Sequence, residues 1–362
     1  MVAESVSGGV TAAAVKTRAK ELGFDLCGVA PAVPFERLGV LREWLDRGYA
    51  GEMHYLARNA ERRADPRAVL PGARAVVVLG TIYNVDRPYS TEIDDPAVAL
   101  ISRYAWGDDY HDVVGARTES LAEWMAAAHP GGCHCRPYVD TGPVQEKAFA
   151  ERAGLGWVGK NTCLIHPELG SWLFLSVVIT TLSLLPDPPG FDQCGSCTLC
   201  LDACPTGAFP APGMLDSTRC LSYVTIETKD VMSDTMRDAL GNHVYGCDIC
   251  QEVCPYNQQP PVSADPAWQP REALDRPALL ELWRRSDDQL RTTIRGSAMT
   301  RARLRRLRRN VAVALGNSEA PEAARTLAQP EAGVAKPADS VSDPLVEEHL
   351  TWARARLDKR LR

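Results

Sequence analysis

Eight of the chain's twelve cysteines fall between Cys194 and Cys254, and their spacing constrains the fold more than any other feature. The first group, CGSCTLCLDACPTGAF from Cys194 to Phe209, sets Cys194, Cys197, Cys200 and Cys204 in the order C-x2-C-x2-C-x3-C-P, with Pro205 closing it. Three thiolates at this spacing hold one 4Fe–4S cube on a tight loop, and the fourth ligates a second cube. The second group, CDICQEVCPYN, repeats the run with its middle cysteine missing: Cys247, Cys250 and Cys254, followed by Pro255. Cys220 lies between the groups and can supply the missing ligand. By the crossover rule, Cys194, Cys197, Cys200 and Cys254 take one cluster, and Cys204, Cys220, Cys247 and Cys250 take the other. A zinc ribbon needs two paired C-x-x-C knuckles and has no use for a third cysteine or for two Cys-Pro steps. A disulfide framework suits small secreted domains, not a chain of 362 residues.

That length allows two or three domains. The net charge of −6 means that any nucleic-acid surface must be local. Met1 to Lys16 lacks the apolar core of a signal peptide. The most apolar stretch, Ser171 to Pro186, is interrupted by serines and threonines and is too short to span a bilayer. Thiolate clusters also need a reducing compartment, so the expectation is a cytoplasmic protein without a membrane segment.

Thr11–Leu22 reads as an amphipathic helix and Phe24–Ala30 as a strand, with Cys27 a small buried hydrophobe. Gly51–Pro66 reads as one helix carrying Arg58, Arg62 and Arg63. The β-branched runs Ala73–Thr81 and Trp172–Thr181 predict buried strands. No GxGxxG follows the first, so a dinucleotide fold is not supported. His111, in ISRYAWGDDYHD, reads either as structural or as a ligand or base. Gly115–His129 is a further helix, and Cys133 and Cys135 are too closely spaced for a chelate loop.

In Val139–Trp172, Thr141 is expected to cap a helix with Pro143 in its first turn, ended by Gly154–Gly156. Asp140 then sits at a strand-to-helix turn, either bonding its own backbone or donating a proton at the mouth of a site. Gly154, Gly156, Gly159 and Gly170 permit close approach of a flat ligand or simply form turns. Leu185–Gly190 is a stiff linker and Gln258–Pro270 a proline-rich connector. The remainder is helical, with a loop at Gln329–Ser342, and eight arginines crowd Arg291 to Arg309. Against a negative chain, this concentration favours a phosphate-binding surface over a solvated helix face. Asn310–Gly316 and Asp343–Leu357 resemble helices of a degenerate HEAT-type repeat.

Taken with VDTGPVQEKAFAERAGLGWVGKN, YVTIE at Tyr223–Glu227, YGCDICQEVCPYN and RGSAMTRARLRRLRRN, the cysteine groups make the chain resemble the epoxyqueuosine reductases from about Gly23 onward. The resemblance implies an α+β protein of three parts. Residues 1–188 would be an α/β cobalamin-binding catalytic domain like that of the reductive dehalogenases. Residues 189–260 would be a bacterial-ferredoxin-type domain with two 4Fe–4S clusters, and 261–362 an all-α HEAT-like segment that binds tRNA. The implied activity is cobalamin-dependent reduction of the epoxide of epoxyqueuosine at the tRNA wobble position, with Asp140 as proton donor. An alternative is a corrinoid reductase of a small halogenated substrate. Further implied contacts to base-off cobalamin are Arg63, Ser102, Asp140, Leu164, Leu175, Ser222, Cys247 and Asp248. Thr225, Glu227 and Lys229 would line the substrate entrance, and Arg295, Arg301, Arg305 and Arg309 would grip the anticodon stem. Implied partners are the tRNA and an electron donor such as a ferredoxin or flavodoxin, with the chain a monomer.

Overall fold

The β-branched run that reads as a buried strand forms the centre of the molecule. In the computed structural model, which describes residues 9–34, 38–320, 322, 326–327 and 343–361, Ala75–Ile82 is buried at every position. It pairs antiparallel with Leu26–Pro31 on one side and with Leu173–Thr180 on the other, and Cys135–Tyr138 completes the four-stranded sheet beyond Leu173–Thr180. Strand side chains alternate between faces. Ala75, Val77 and Leu79 therefore pack with Val15, Ala19, Val114, Leu121 and Met125, while Val76 and Val78 pack with Phe149, Ala150 and Ala153. Both faces being covered explains why the strand is apolar throughout rather than alternating.

The helices follow local capping chemistry. Thr11 Oγ1 accepts the Ala14 N–H at 3.2 Å and starts Ala12–Glu21. Asp109 accepts the His111 N–H at 3.0 Å and starts the helix Tyr110–Ala128. That cap places the helix start before His111, earlier than the expected Gly115. The expected single helix at Gly51–Pro66 is two short ones, His54–Arg58 and Ala60–Ala64, interrupted at Asn59. Asp65 then caps a new turn at Pro66–Val69 by accepting the Arg67 N–H. Thr141 does not cap a helix. The chain bends through Thr141–Val144, and the helix begins only at Glu146.

The Leu185–Gly190 linker is pinned, because Asp187 accepts the Val29 N–H at 2.8 Å and pairs with Lys16 at 2.5 Å. In the C-terminal part, Arg303–Asn317 packs along Pro344–Leu361. One apolar core runs from Leu79 and Phe174 of the sheet through Tyr245 and Trp268 to Leu307, Val311 and Leu357. Packing therefore joins the three expected parts. The Gln329–Ser342 loop lies outside the described residues. No helix among the described residues is long and apolar enough to cross a membrane.

Candidate active site and cluster cradle

The cysteines gather in two sets. The Cys200 thiol lies within electrostatic reach of Cys254, Cys194 and Cys197, and Cys254 and Cys194 share a small apolar cluster with Trp157. Cys220 lies within reach of Cys204, Cys247 within reach of Cys220, and Cys250 within reach of Cys247 and Cys220. All are free thiols. Among the described residues no three donors converge on a single point. Zinc requires such convergence, whereas a cube takes one thiolate at each of four separated irons. N–H groups are aimed at the sulfurs, as cluster thiolates require. Trp157 Nε1–H reaches Cys194 Sγ at 3.3 Å and the Ala208 N–H reaches Cys204 Sγ at 3.3 Å. The Tyr256 N–H serves Cys254, the Ile249 N–H serves Cys247, and the Ser222 and Tyr223 N–H groups serve Cys220. The donor set fits two iron–sulfur cubes.

Sequence reasoning missed Cys163. It lies outside the C-x2-C spacing, yet its thiol hydrogen-bonds Cys250. Lys160, from the same segment, donates to Gly195 O at 2.6 Å and Cys197 O at 2.8 Å, tying this loop to the first cysteine loop. Only the position of the 157–165 hairpin against the clusters reveals either role. Four glycines of this region accommodate the protein's own chain. A Cβ at Gly156 would fall 2.0 Å from Ile165 O, and one at Gly170 would fall 2.1 Å from Asn257 Oδ1. At Gly159 it would meet Ile165, and at Gly154 Pro188 O.

Asp140 occupies the left-handed region, with φ 54°. Aspartate tolerates this better than most residues, at a cost of roughly 1–3 kcal/mol. The strain is held by neighbours. The Asp140 N–H donates to Glu146 Oε1 at 2.8 Å, and Tyr110 Oη–H donates to Asp140 Oδ2 at 3.0 Å. His111 Nε2 lies 3.4 Å from the same oxygen, and His111 Nδ1 lies 2.8 Å from Asp109 Oδ1. The carboxylate is 62% exposed and therefore open to a ligand. The bond to His111 holds the Asp140 carboxyl below its ordinary range, against partial burial. Burial and the Asp140 charge push Glu146 up to about 8. His111, open between structural and functional readings in the sequence, is thus in the site. Tyr110 also stacks on Phe174 at 4.6 Å and Phe174 on Tyr83 at 4.3 Å, a column leading from Asp140 to Tyr83, which lies near Asp248 and Cys163.

Of the remaining implied cofactor residues, Ser102 and Asp248 lie at the Tyr83 end of this column, while Leu164 and Leu175 belong to the opposite face of the sheet. Ser102 Oγ–H donates to Asp248 Oδ1 at 2.5 Å, and the Arg103 N–H donates to Oδ2 at 2.7 Å, fixing the turn after Cys247. Gly246, at φ +69°, must be glycine here, because a Cβ would sit 2.5 Å from Ser102 Cβ. Leu164 is buried, while Leu173 and Leu175 remain partly exposed on one face of an otherwise buried strand. Arg63 donates to Val144 O at 3.3 Å, but its Nε is buried without a partner. An uncovered apolar strip beside an unpartnered guanidinium nitrogen fits a large flat ligand with polar edges, as cobalamin is.

The expected entrance and tRNA residues divide. Lys229 is exposed and Glu227 half-buried, and Arg301, 53% exposed, pairs with Glu227 at 2.9 Å over the Tyr55 ring. Arg295 and Arg305 are exposed, the latter paired with Asp343. Arg309 and Thr225 are corrections. Arg309 is 0% exposed and donates to the carbonyls of Val224, Thr228 and Asp230, so its cation joins helix to cluster segment and reaches no phosphate. Thr225 is buried, donating to Leu221 O and accepting the Gly246 N–H, so it lines no entrance.

Residues 193–257 match the family model for a 4Fe-4S double cluster binding domain, and 63–141 match that for epoxyqueuosine reductase QueG, DUF1730. The epoxyqueuosine reductase of Salmonella typhimurium is 37% identical over 96% of this chain and 88% of its own. That of Gloeobacter violaceus is 43% identical over 85% of this chain and 97% of its own. A crystal structure of an epoxyqueuosine reductase with an epoxyqueuosine-modified tRNA-Tyr stem loop superimposes with TM-score 0.85 at 30% identity, covering 95% of this chain and 89% of that one. The Bacillus subtilis enzyme, with its catalytic aspartate loop swung out of the active site, gives a TM-score of 0.83 at 30% identity, covering 95% of this chain and 89% of that one. With two cysteine sets, the open aspartate and these relatives together, the chain belongs to the epoxyqueuosine reductase family, and it is an oxidoreductase with a double 4Fe–4S domain.

Proposed function

We propose that this chain reduces the epoxide of epoxyqueuosine, at the wobble position of a tRNA, to the cyclopentene of queuosine, with Asp140 as proton donor and base-off cobalamin as cofactor. The observation that carries the reading is the Asp140 carboxylate, exposed and held in strained backbone by Tyr110, His111 and Glu146. Bound cobalamin would supply the two-electron reduction of a carbon–oxygen bond, which side chains cannot perform. Arg63, Ser102, Leu164, Leu175, Ser222, Cys247 and Asp248 would hold it. Opening an epoxide develops an alkoxide, and a positioned acid accelerates that step by ~10²–10⁴-fold.

The relative seen with a modified tRNA stem loop supports tRNA as substrate, and the exposed Arg295, Arg301 and Arg305 provide cations for its phosphates. A single-stranded loop base can be splayed into such a mouth, past Glu227 and Lys229. The reading extends to a cytoplasmic monomer fed by a ferredoxin or flavodoxin. The test is anaerobic reconstitution with iron, sulfide and cobalamin, followed by reductant and epoxyqueuosine tRNA, digestion and nucleoside mass. One oxygen atom is lost in the wild type, and nothing is lost without cobalamin. Asp140→Asn slows the loss by ~10²–10⁴-fold. An unchanged nucleoside with clusters and corrin present overturns the reading.

A further inference from the structure

The reduction consumes two protons as well as two electrons: both bonds from carbon to the epoxide oxygen break, a carbon–carbon double bond forms, and the oxygen leaves as water. The electrons come through the two clusters. A single carboxyl that delivers the first proton must be reloaded before the second. The structure shows what stands behind it. Asp109 Oδ1, His111 Nδ1, His111 Nε2 and Asp140 Oδ2 form one line, with separations of 2.8 Å and 3.4 Å on the two sides of the ring. Asp109 also accepts the His111 backbone N–H at the helix start, so the carboxylate fixes both ring and backbone. The imidazole is 35% exposed, which leaves it a path to water.

We propose that His111, oriented by Asp109, is the proton-loading residue of this site and refills Asp140 during turnover. The inference rests on the reading of Asp140 as donor. Burial disfavours the charged ring, but its bonds to Asp109 and Asp140 outweigh this and raise His111 to about 9. Asp140 is correspondingly held low, so at neutral pH the proton rests on the imidazole and the carboxylate is ionised. The other charged groups facing this line are Arg271 near Asp109, and Lys147, Glu146 and Arg301 near Asp140. Arg271 is itself paired with Asp108 at 2.7 Å. A developing alkoxide is far more basic than either group. It draws a proton that His111 hands to the ionised Asp140 carboxylate and that Asp140 delivers in the same step, and His111 recovers a proton from water. His111 acts through Asp140 and is a positioning and loading residue, not one that touches the epoxide.

Two measurements test this. In protein labelled at histidine nitrogens, without cofactor or substrate, the His111 ring titrates near pH 9, and Asp140→Asn lowers that midpoint. In the loaded enzyme, single-turnover loss of oxygen is flat with pH up to about 9 in the wild type. In His111→Gln it falls about tenfold per pH unit between pH 6 and 8 and is ~10–100-fold slower at pH 8. Added imidazole restores part of the rate in His111→Gly. A neutral His111 at pH 7, or a His111→Gln profile and rate matching the wild type, overturns the inference while leaving Asp140 as donor. A wild type that removes no oxygen overturns the parent reading instead, and the histidine titration still decides where the proton rests. Thermal melts of each variant separate lost folding from lost proton supply.

Discussion

The two cysteine pockets are built from nearly the same motif and sit in different surroundings. The pocket of Cys194, Cys197, Cys200 and Cys254 lies at the rim. Its first loop is flanked by exposed residues, including Phe191 at 72% and Leu199 at 50% exposure. The pocket of Cys204, Cys220, Cys247 and Cys250 is bordered by buried Leu221, Val244, Tyr245 and Asp248. Burial lifts the Cys247 thiol well above its ordinary range, while Cys200 is raised only to about 11. The inner pocket also adjoins the Tyr83–Phe174–Tyr110 column that ends on Asp140. The difference teaches how one ferredoxin run serves two tasks. Under the proposed function, the outer pocket would receive electrons from a docked donor and the inner one would deliver them toward Asp140.

Removing one ligand from each pocket should break this symmetry most visibly. Cys220→Ala and Cys197→Ala each reduce iron from about eight to about four per chain. Cys220→Ala abolishes epoxide reduction with every donor. Cys197→Ala loses turnover with a ferredoxin or flavodoxin but keeps it with a small strong reductant that reaches the inner cluster. Iron assay and nucleoside mass read both, and equal losses with the small reductant would remove the division of labour.

A smaller effect sharpens the inner pocket. When Cys250 is a cluster thiolate, the neighbouring Cys163 thiol becomes its hydrogen-bond donor, and a donor to sulfur stabilises the more negative, reduced cluster. One such bond is worth about 0.5–1.5 kcal/mol, or roughly 20–60 mV for a one-electron couple at 59 mV per tenfold. Cys163→Val should lower the inner cluster's potential by that amount in an EPR-monitored titration and leave the outer one unmoved. A shift in both clusters, or in neither, would separate Cys163 from Cys250.

The cysteine pockets were legible because metal ligation demands fixed residue types at fixed local spacing, and the central strands because burial on both faces demands an apolar run. The Asp140 site was half legible. VDTG marks the aspartate, but nothing local says that Asp109 and His111, some thirty residues earlier, will meet it, since that contact depends on the sheet and the Tyr110–Ala128 helix. Cys163 and Lys160 were hidden for the same reason. The arginine cluster misled where charge density was read as surface. Arg306, Arg308 and Arg309 are buried because their guanidinium groups satisfy carbonyls at the ends of neighbouring segments. Arg295, Arg301 and Arg305 stay exposed, the last two beside their own carboxylates, Glu227 and Asp343.

The outer pocket has its own sulfur donor in Trp157, whose indole N–H reaches Cys194 Sγ at 3.3 Å. The ring is 1% exposed and packs edge-on against Tyr256 at 4.9 Å, so its direction is fixed by packing rather than by the cluster. Trp157→Phe keeps most of that packing and removes the donor. The expected result is a fall of about 20 mV in the outer potential, the low end for one hydrogen bond, because water near an exposed loop can replace part of it. The inner potential should stay constant. Electron entry from a protein donor should then slow, because the acceptor is harder to reduce, while turnover driven by a small strong reductant should not. If Trp157→Phe instead shifts the inner cluster, the two pockets are coupled through the 157–165 hairpin that carries both Trp157 and Cys163, and their potentials are set together.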